Sequence, residues 1–258
     1  MAKGVVTLTE GRSGSSWLGK LCTQTGVLGV SSEWVDPRIL GLSHKSVSGE
    51  EYVDKIVTAG SSENGFFALK LFPRHVHWFH LHFGFDLISS LRENHNVQIV
   101  TVERADRVQQ AVSFAKAMQS SAWSSNQSES RKPRYDFEQI SRCYFLIERS
   151  YNFWNSYLTL RNTAYDAFYY EDMLHDPMPF VETVARHAGI MKLPRLHSRT
   201  DDIQRNKSSN DWKVRFLADA ETTDIIGTST PSRPAKRSLV NLGRFIRGKQ
   251  MKPGAFAF

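Results

Sequence analysis

The sequence predicts an α/β fold with a central, mainly parallel sheet flanked by helices. Three observations carry this. Residues 5–10, 66–72, 97–102 and 164–170 are short apolar runs of strand character. A helical stretch follows each of them, the alternation that parallel strands and crossover helices produce. The first strand passes into its helix through a glycine–serine loop, and ligands of open α/β sheets sit at the carboxyl ends of the strands.

Val5-Val6-Thr7-Leu8-Thr9 is apolar and β-branched, which suits a buried strand. Gly11-Arg12-Ser13-Gly14-Ser15-Ser16 is too small and polar for either element and reads as a loop. Trp17 to Thr25 reads as a helix ended by Gly26 to Gly29. Phe66 to Phe72 is a strand stopped by Pro73, and residues 77–92 read as one helix. Val97 to Val102 is the second strong strand and ends at Glu103-Arg104. Asp106 suits the N-cap of a helix to about Trp123. Residues 120–134 are serine-rich and polar and read as a loop or lid. Tyr135 to about Leu160 is a long helix. Its Tyr151, Phe153, Trp154 and Tyr157 read chiefly as core, with stacking on a sugar as the alternative. Ala164 to Tyr170 is a last strand, then Glu171-Asp172 and a helix toward His187.

The 258 residues suit one large domain or two small ones, and 40% apolar with 23% charged residues is a globular composition. Two cysteines, Cys22 and Cys143, cannot build a disulfide framework or a four-cysteine zinc site, so a reducing, cytoplasmic setting is expected. No apolar run approaches the roughly 20 residues of a membrane span. Met1-Ala2-Lys3-Gly4 is too short for a signal peptide before the first strand.

The net charge of +7 invites a nucleic-acid reading, but its position argues against one. Seven of the 33 basic residues follow Asp224, and no acidic residue does. Residues 1–224 thus hold 26 basic and 26 acidic side chains and are neutral. The sequence divides into a body, residues 1–224, and a basic tail, residues 225–258. A nucleic-acid-binding domain more often carries its basic face within the fold. In the tail, Leu239, Leu242 and Ile246 fall on one side of a helix and Arg237, Arg244 and Arg247 on the other. Such a segment suits peripheral contact with an anionic membrane. Docking on the body, or a solvated end, is the alternative.

Strand, Gly11 to Ser16, helix is the layout of an anion cradle. Backbone N–H groups at the helix start face the ligand, and Arg12 adds a charged fork. A plain turn with an N-cap serine is the competing reading. Ser16 stands five residues after Gly11 with no lysine following, so the Walker pattern is missing. Arg104 ends a strand as a second phosphate clamp would, with Ser113 inside the next helix; a surface ion pair is the alternative. His75, His77, His80 and His82 suggest zinc. The aromatic residues between them favour core or pocket wall, and no metal is expected.

These residues together resemble the bacterial carbohydrate sulfotransferases of the trehalose 2-sulfotransferase type, related to the Nod-factor sulfotransferases. The resemblance runs from about Val5 to about Ala218. It rests on Gly11 to Leu18, on Thr25-Gly26-Val27-Leu28-Gly29 leading to Glu33, and on Gly65 to Leu71. Arg104 with Gln110 to Phe114, Tyr170 to Leu174 and Ser209 to Lys213 complete it.

The resemblance implies a P-loop-like sulfotransferase fold and transfer of a sulfuryl group from 3′-phosphoadenosine 5′-phosphosulfate to a hydroxyl of a carbohydrate or glycolipid. It assigns the 5′-phosphosulfate to Arg12, Ser13, Gly14, Ser15 and Ser16, and the 3′-phosphate to Arg104 and Ser113. Arg205 and Lys207 fall in a closing loop over the nucleotide. Glu33 takes the place of the general base, and a surface glutamate is the alternative. Lys70 is either a second cation at the bridging oxygen or a solvated strand-end charge. His77 or His80 would contact the acceptor. Gln109 stands where the trehalose enzyme has serine, and the stretch after Lys70 differs, so a different acceptor pocket is expected. Relatives with this fold can pair as homodimers. Sulfuryl transfer resembles phosphoryl transfer, and the lower charge of the group requires no metal. The rival readings are a P-loop-like kinase and a non-catalytic protein binding an anionic ligand or lipid.

Overall fold

The computed structural model describes residues 1–123, 130–193 and 207–229. In chain order the elements are β1 (Lys3–Leu8), α1 (Ser15–Gln24), α2 (Pro37–Leu40), α3 (Gly49–Gly60), β2 (Phe67–Leu71), α4 (Pro73–Phe83), α5 (Leu87–Asn94) and β3 (Asn96–Glu103). After these come α6 (Arg107–Ser120), α7 (Phe137–Leu160), β4 (Asp166–Tyr169), α8 (Tyr170–His175), α9 (Met178–Ala188), α10 (Lys207–Ala220) and α11 (Ile226–Ser229).

The four strands form one parallel sheet in the order β2-β1-β3-β4. Alternation along β1 sends Val6 and Leu8 to one face and Val5 to the other. The first face packs against α3, α4, α5, α6 and α7 through Tyr52, Phe79, Leu91, Val112 and Trp154. The second packs against α1 and α9 through Leu18, Leu21, Phe180 and Val184. Covering both faces is why β1, β2 and the second half of β3 read as nearly continuous apolar runs, whereas the edge strand β4 is largely exposed. Because β1 lies between β2 and β3, the strand order reverses at its carboxyl end. A crevice opens at such a reversal.

α7 is placed by spacing. Ile140, Cys143, Ile147, Tyr151, Trp154 and Leu158 recur every three or four residues and are all buried. Trp154 donates from Nε1 to the carbonyl of Thr9 at 2.9 Å, fixing the helix to the end of β1. Tyr151 and Trp154 are core residues, whereas Phe153 and Tyr157 are only partly buried.

Three predicted helices have different bounds. Residues 77–92 are two helices, because Gly84 at φ 83° ends α4 and the Asp86 carboxylate caps α5 through the N–H groups of Ile88 and Ser89. The segment from Glu171 toward His187 also divides, since Pro177 cannot continue a helix. The helix capped by Asp106 stops at Ser120, with Ser121 left-handed. The packed body reaches past residue 224, because α11 lies against α7. The amphipathic tail segment 237–247 falls outside the described residues. No described helix is long and apolar enough to cross a membrane.

Candidate active site

The glycine–serine loop leaves β1 at the crevice. Arg12 and Gly14 take left-handed conformations, φ 67° and 89°. A side chain on Gly14 would stand 2.2 Å from the Tyr170 ring, so only glycine fits there. The hydroxyls of Thr9, Ser13 and Ser15 form a chain anchored on the Val102 carbonyl. Ser13 and Ser15 are thus buried and hold the loop from within. Ser16 is exposed. The N-cap of α1 is Gly14 rather than a serine, and no side chain caps it. The Ser15 N–H donates to Ser13 Oγ at 3.3 Å, but Gly14 supplies no side-chain cap, so the start of this ten-residue helix faces the crevice with its positive end, which favours an anion there.

Two guanidiniums border that helix start. Arg12 donates from Nε to Ser113 Oγ at 2.9 Å and from Nη1 to the Trp123 carbonyl. Arg104 lies 4.9 Å from the centre of the Tyr170 ring. Its Nε is buried and has no hydrogen-bond partner among the described residues; Glu171 Oε1 is 3.7 Å away. The Glu171 carboxylate instead accepts from the N–H groups of Ala105 and Asp106, at 2.8 and 3.2 Å. Burial first, and then Arg104, pull the Arg12 pKa below its ordinary value; burial does the same to Arg104. Two half-buried cations of lowered basicity favour an anion close by.

Glu33 sits on the β2 side of the same crevice. Ser32 bridges to Leu69, and the Lys70 N–H donates to the Ser32 carbonyl at 3.0 Å, so the segment runs along β2. The Lys70 ammonium lies 3.2 Å from Glu33 Oε1 and donates to Ser16 Oγ at 2.7 Å. Lys70 is only 6% exposed, so it is not a solvated strand-end charge. Arg74 Nη2 and His75 Nε2 approach Glu33 Oε2 at 3.7 and 3.8 Å. His75 Nδ1 accepts the Phe72 N–H, so the ring carries its proton on Nε2, the atom that faces Glu33. Burial chiefly, and then Arg74, push the His75 pKa down to about 3. The imidazole is neutral at ordinary pH, and its approach to Glu33 is not an ion pair.

The structure therefore brings Arg12, Arg104 and Ser113 together beside the loop, and Glu33, Lys70 and Ser16 together across from them. His77 packs against Phe153 at 4.7 Å, and His80 lies on the exposed side of α4; His75 is the histidine that reaches Glu33. Gln109 gives its N–H to Asp106 at 3.0 Å, while its buried Oε1 has no partner among the described residues. Arg205 lies outside the described residues, and Lys207 opens α10. Among the described residues no group of three or more His, Cys, Asp or Glu side chains is arranged to hold a metal ion.

The sequence singles out Tyr170-Glu171-Asp172 at a strand end, but not Glu10 or Arg74. The signal available for Arg74 was its place in the first turn of the helix after Lys70. Glu10 carried only the oddity of a carboxylate closing an apolar strand.

The Stf0 sulphotransferase family model matches residues 4–219, most of the chain, and the chain belongs to this family. The protein is therefore a sulfotransferase, with the α/β fold and parallel sheet described above. No curated protein matches the chain.

Proposed function

We propose that the protein transfers the sulfuryl group of 3′-phosphoadenosine 5′-phosphosulfate to a hydroxyl of a carbohydrate or glycolipid, with Glu33 as general base. The observation that carries this reading is the pair of half-buried guanidiniums, Arg12 and Arg104, beside the start of α1, whose N-cap Gly14 offers no side chain. A nucleotide with two anionic groups, a 3′-phosphate and a 5′-phosphosulfate, gives each guanidinium a counter-charge. Arg104 and Ser113 hold its 3′-phosphate; Arg12, Gly14 and the N–H groups of residues 13–16 hold its 5′-phosphosulfate.

Glu33 accepts the proton of the acceptor hydroxyl as its oxygen bonds to sulfur. The bond from sulfur to the bridging phosphate oxygen breaks at the same time, and the bisphosphate leaves. Lys70, joined to both Ser16 and Glu33, lies between the donor loop and the base and stabilises the charge that grows on the bridging oxygen. No step requires a metal ion. The neutral body and the basic tail fit a cytoplasmic protein that meets a lipid-linked acceptor at the inner membrane face.

A panel of neutral mono- and disaccharides tests this, with turnover read as release of 3′,5′-adenosine bisphosphate and as sulfated product by mass. Glu33→Gln is expected to lower kcat by roughly 10²–10⁴-fold while the bisphosphate still binds. Turnover near wild type in that variant would remove Glu33 from the reaction.

A further inference from the structure

We propose that Glu10 and Arg74 are positioning residues that lock the base Glu33 in register with the donor loop; this rests on the reading of Glu33 as the base. Glu10 is the last residue before the loop, and its side chain is 3% exposed. Each of its oxygens is engaged. Oε1 accepts the Gly11 N–H at 2.7 Å and Arg74 Nη1 at 3.0 Å, and Oε2 accepts the Ser150 hydroxyl at 2.7 Å. One carboxylate thus joins the first residue of the loop, the first turn of α4 and the middle of α7.

Arg74 carries the connection onward. Its Nη1 is held by Glu10 while its Nη2 faces Glu33 Oε2 at 3.7 Å. The guanidinium lies 4.1 Å from the centre of the Phe72 ring, and Lys70 Nζ lies 5.5 Å from the same ring. Phe72 therefore spaces the two cations that reach the two oxygens of Glu33. A buried carboxylate is costly unless it is paired and hydrogen-bonded, and Glu10 is fully so. Its partners make it a fixed point shared by the donor loop and the base. A near-attack geometry needs both reactants held from one frame, and a shift of an ångström costs rate.

The consequence is specific. Arg74 touches Glu33 but not the loop, so removing it should slow the chemical step and leave the nucleotide bound. The test measures release of 3′,5′-adenosine bisphosphate from 3′-phosphoadenosine 5′-phosphosulfate, with the sugar panel present and with water as the only hydroxyl. Binding of the bisphosphate is measured by calorimetry. Arg74→Gln is expected to lower kcat at least tenfold, with KM for the donor and affinity for the bisphosphate within twofold. Arg74→Lys, which keeps a cation for Glu10, should recover much of the loss. The pair Glu10→Gln with Arg74→Gln leaves no buried charge unpaired, so it separates lost positioning from failure to fold.

The deciding arm places Arg74→Gln on top of Glu33→Gln. If Arg74 acts through Glu33, the second change costs nothing further, because residues that act as a unit are not additive. An equal loss in both backgrounds would overturn the proposal, as would an unchanged kcat in Arg74→Gln alone. Undiminished turnover in Glu33→Gln would instead sink the reading of the base itself.

Discussion

His75 shows how far burial governs a single side chain at this site. Its imidazole ordinarily titrates near 6.5, and burial lowers that to about 3. Between those values the unfolded chain binds a proton that the folded protein refuses, so stability rises with pH across the window. The contribution is complete above pH 6.5 and is lost as pH falls toward 3. His75→Gln should remove this part of the acid sensitivity. Denaturant midpoints of both proteins between pH 4.5 and 7.5 check it. The wild type should lose up to about 1.4 kcal/mol more per pH unit than the variant, and parallel slopes would contradict the assignment. Arg12, Lys70 and Arg104 stood out in the sequence because the glycine–serine loop and strand ends mark them, whereas Glu33 was assigned only through the resemblance. Glu10 did not stand out, since its burial depends on Ser150, which is 140 residues away. Such a partner is invisible to any local pattern. The His77 and His80 expectation came from the resemblance, which placed the histidine cluster near the acceptor. A helix turn sends His75 inward, toward Glu33, and leaves His80 outside.

At the scale of elements, α7 carries the most. Its apolar spacing was legible because a three-four repeat survives even among aromatic residues. Its length also lets Ser150 and Trp154 reach two successive residues of the loop region, Glu10 and Thr9. Trp154→Phe keeps most of the packing and loses the bond to the Thr9 carbonyl. Trp154→Ala empties a site only 1% exposed. We expect Trp154→Ala to cost about 3–5 kcal/mol in chemical unfolding, with Trp154→Phe well below that. A loss under 1 kcal/mol for the alanine variant would mean that α7 is not anchored as described. The breaks at Gly84 and Asp176-Pro177 were missed for a common reason. Apolar periodicity continues across both, and only the turn residues mark the ends. α3 was missed although Ser48 and Glu51 form a capping box, a signal readable from spacing alone.

Over the whole molecule, the fold was legible because both sheet faces are covered. Strands buried on two sides stay apolar throughout, and the helices between them leave room only for parallel pairing. Charge divides the molecule in the same way, with a neutral body and a basic end. If the tail meets an anionic membrane, truncation after Ser229, which keeps the α11 contact with α7, should weaken binding to phosphatidylserine vesicles. Activity on a soluble acceptor should stay the same. Undiminished vesicle binding would remove the membrane role. Arg12, Arg104 and the start of α1 together make the proposed site of a bisphosphate nucleotide. Calorimetry with 3′,5′-adenosine bisphosphate, beside ATP and GTP with and without magnesium, tests it most directly. Tight, metal-independent binding of the bisphosphate, weakened at least tenfold by Arg104→Ala, is the expected result. Absence of that binding, or preference for magnesium-ATP, would contradict it.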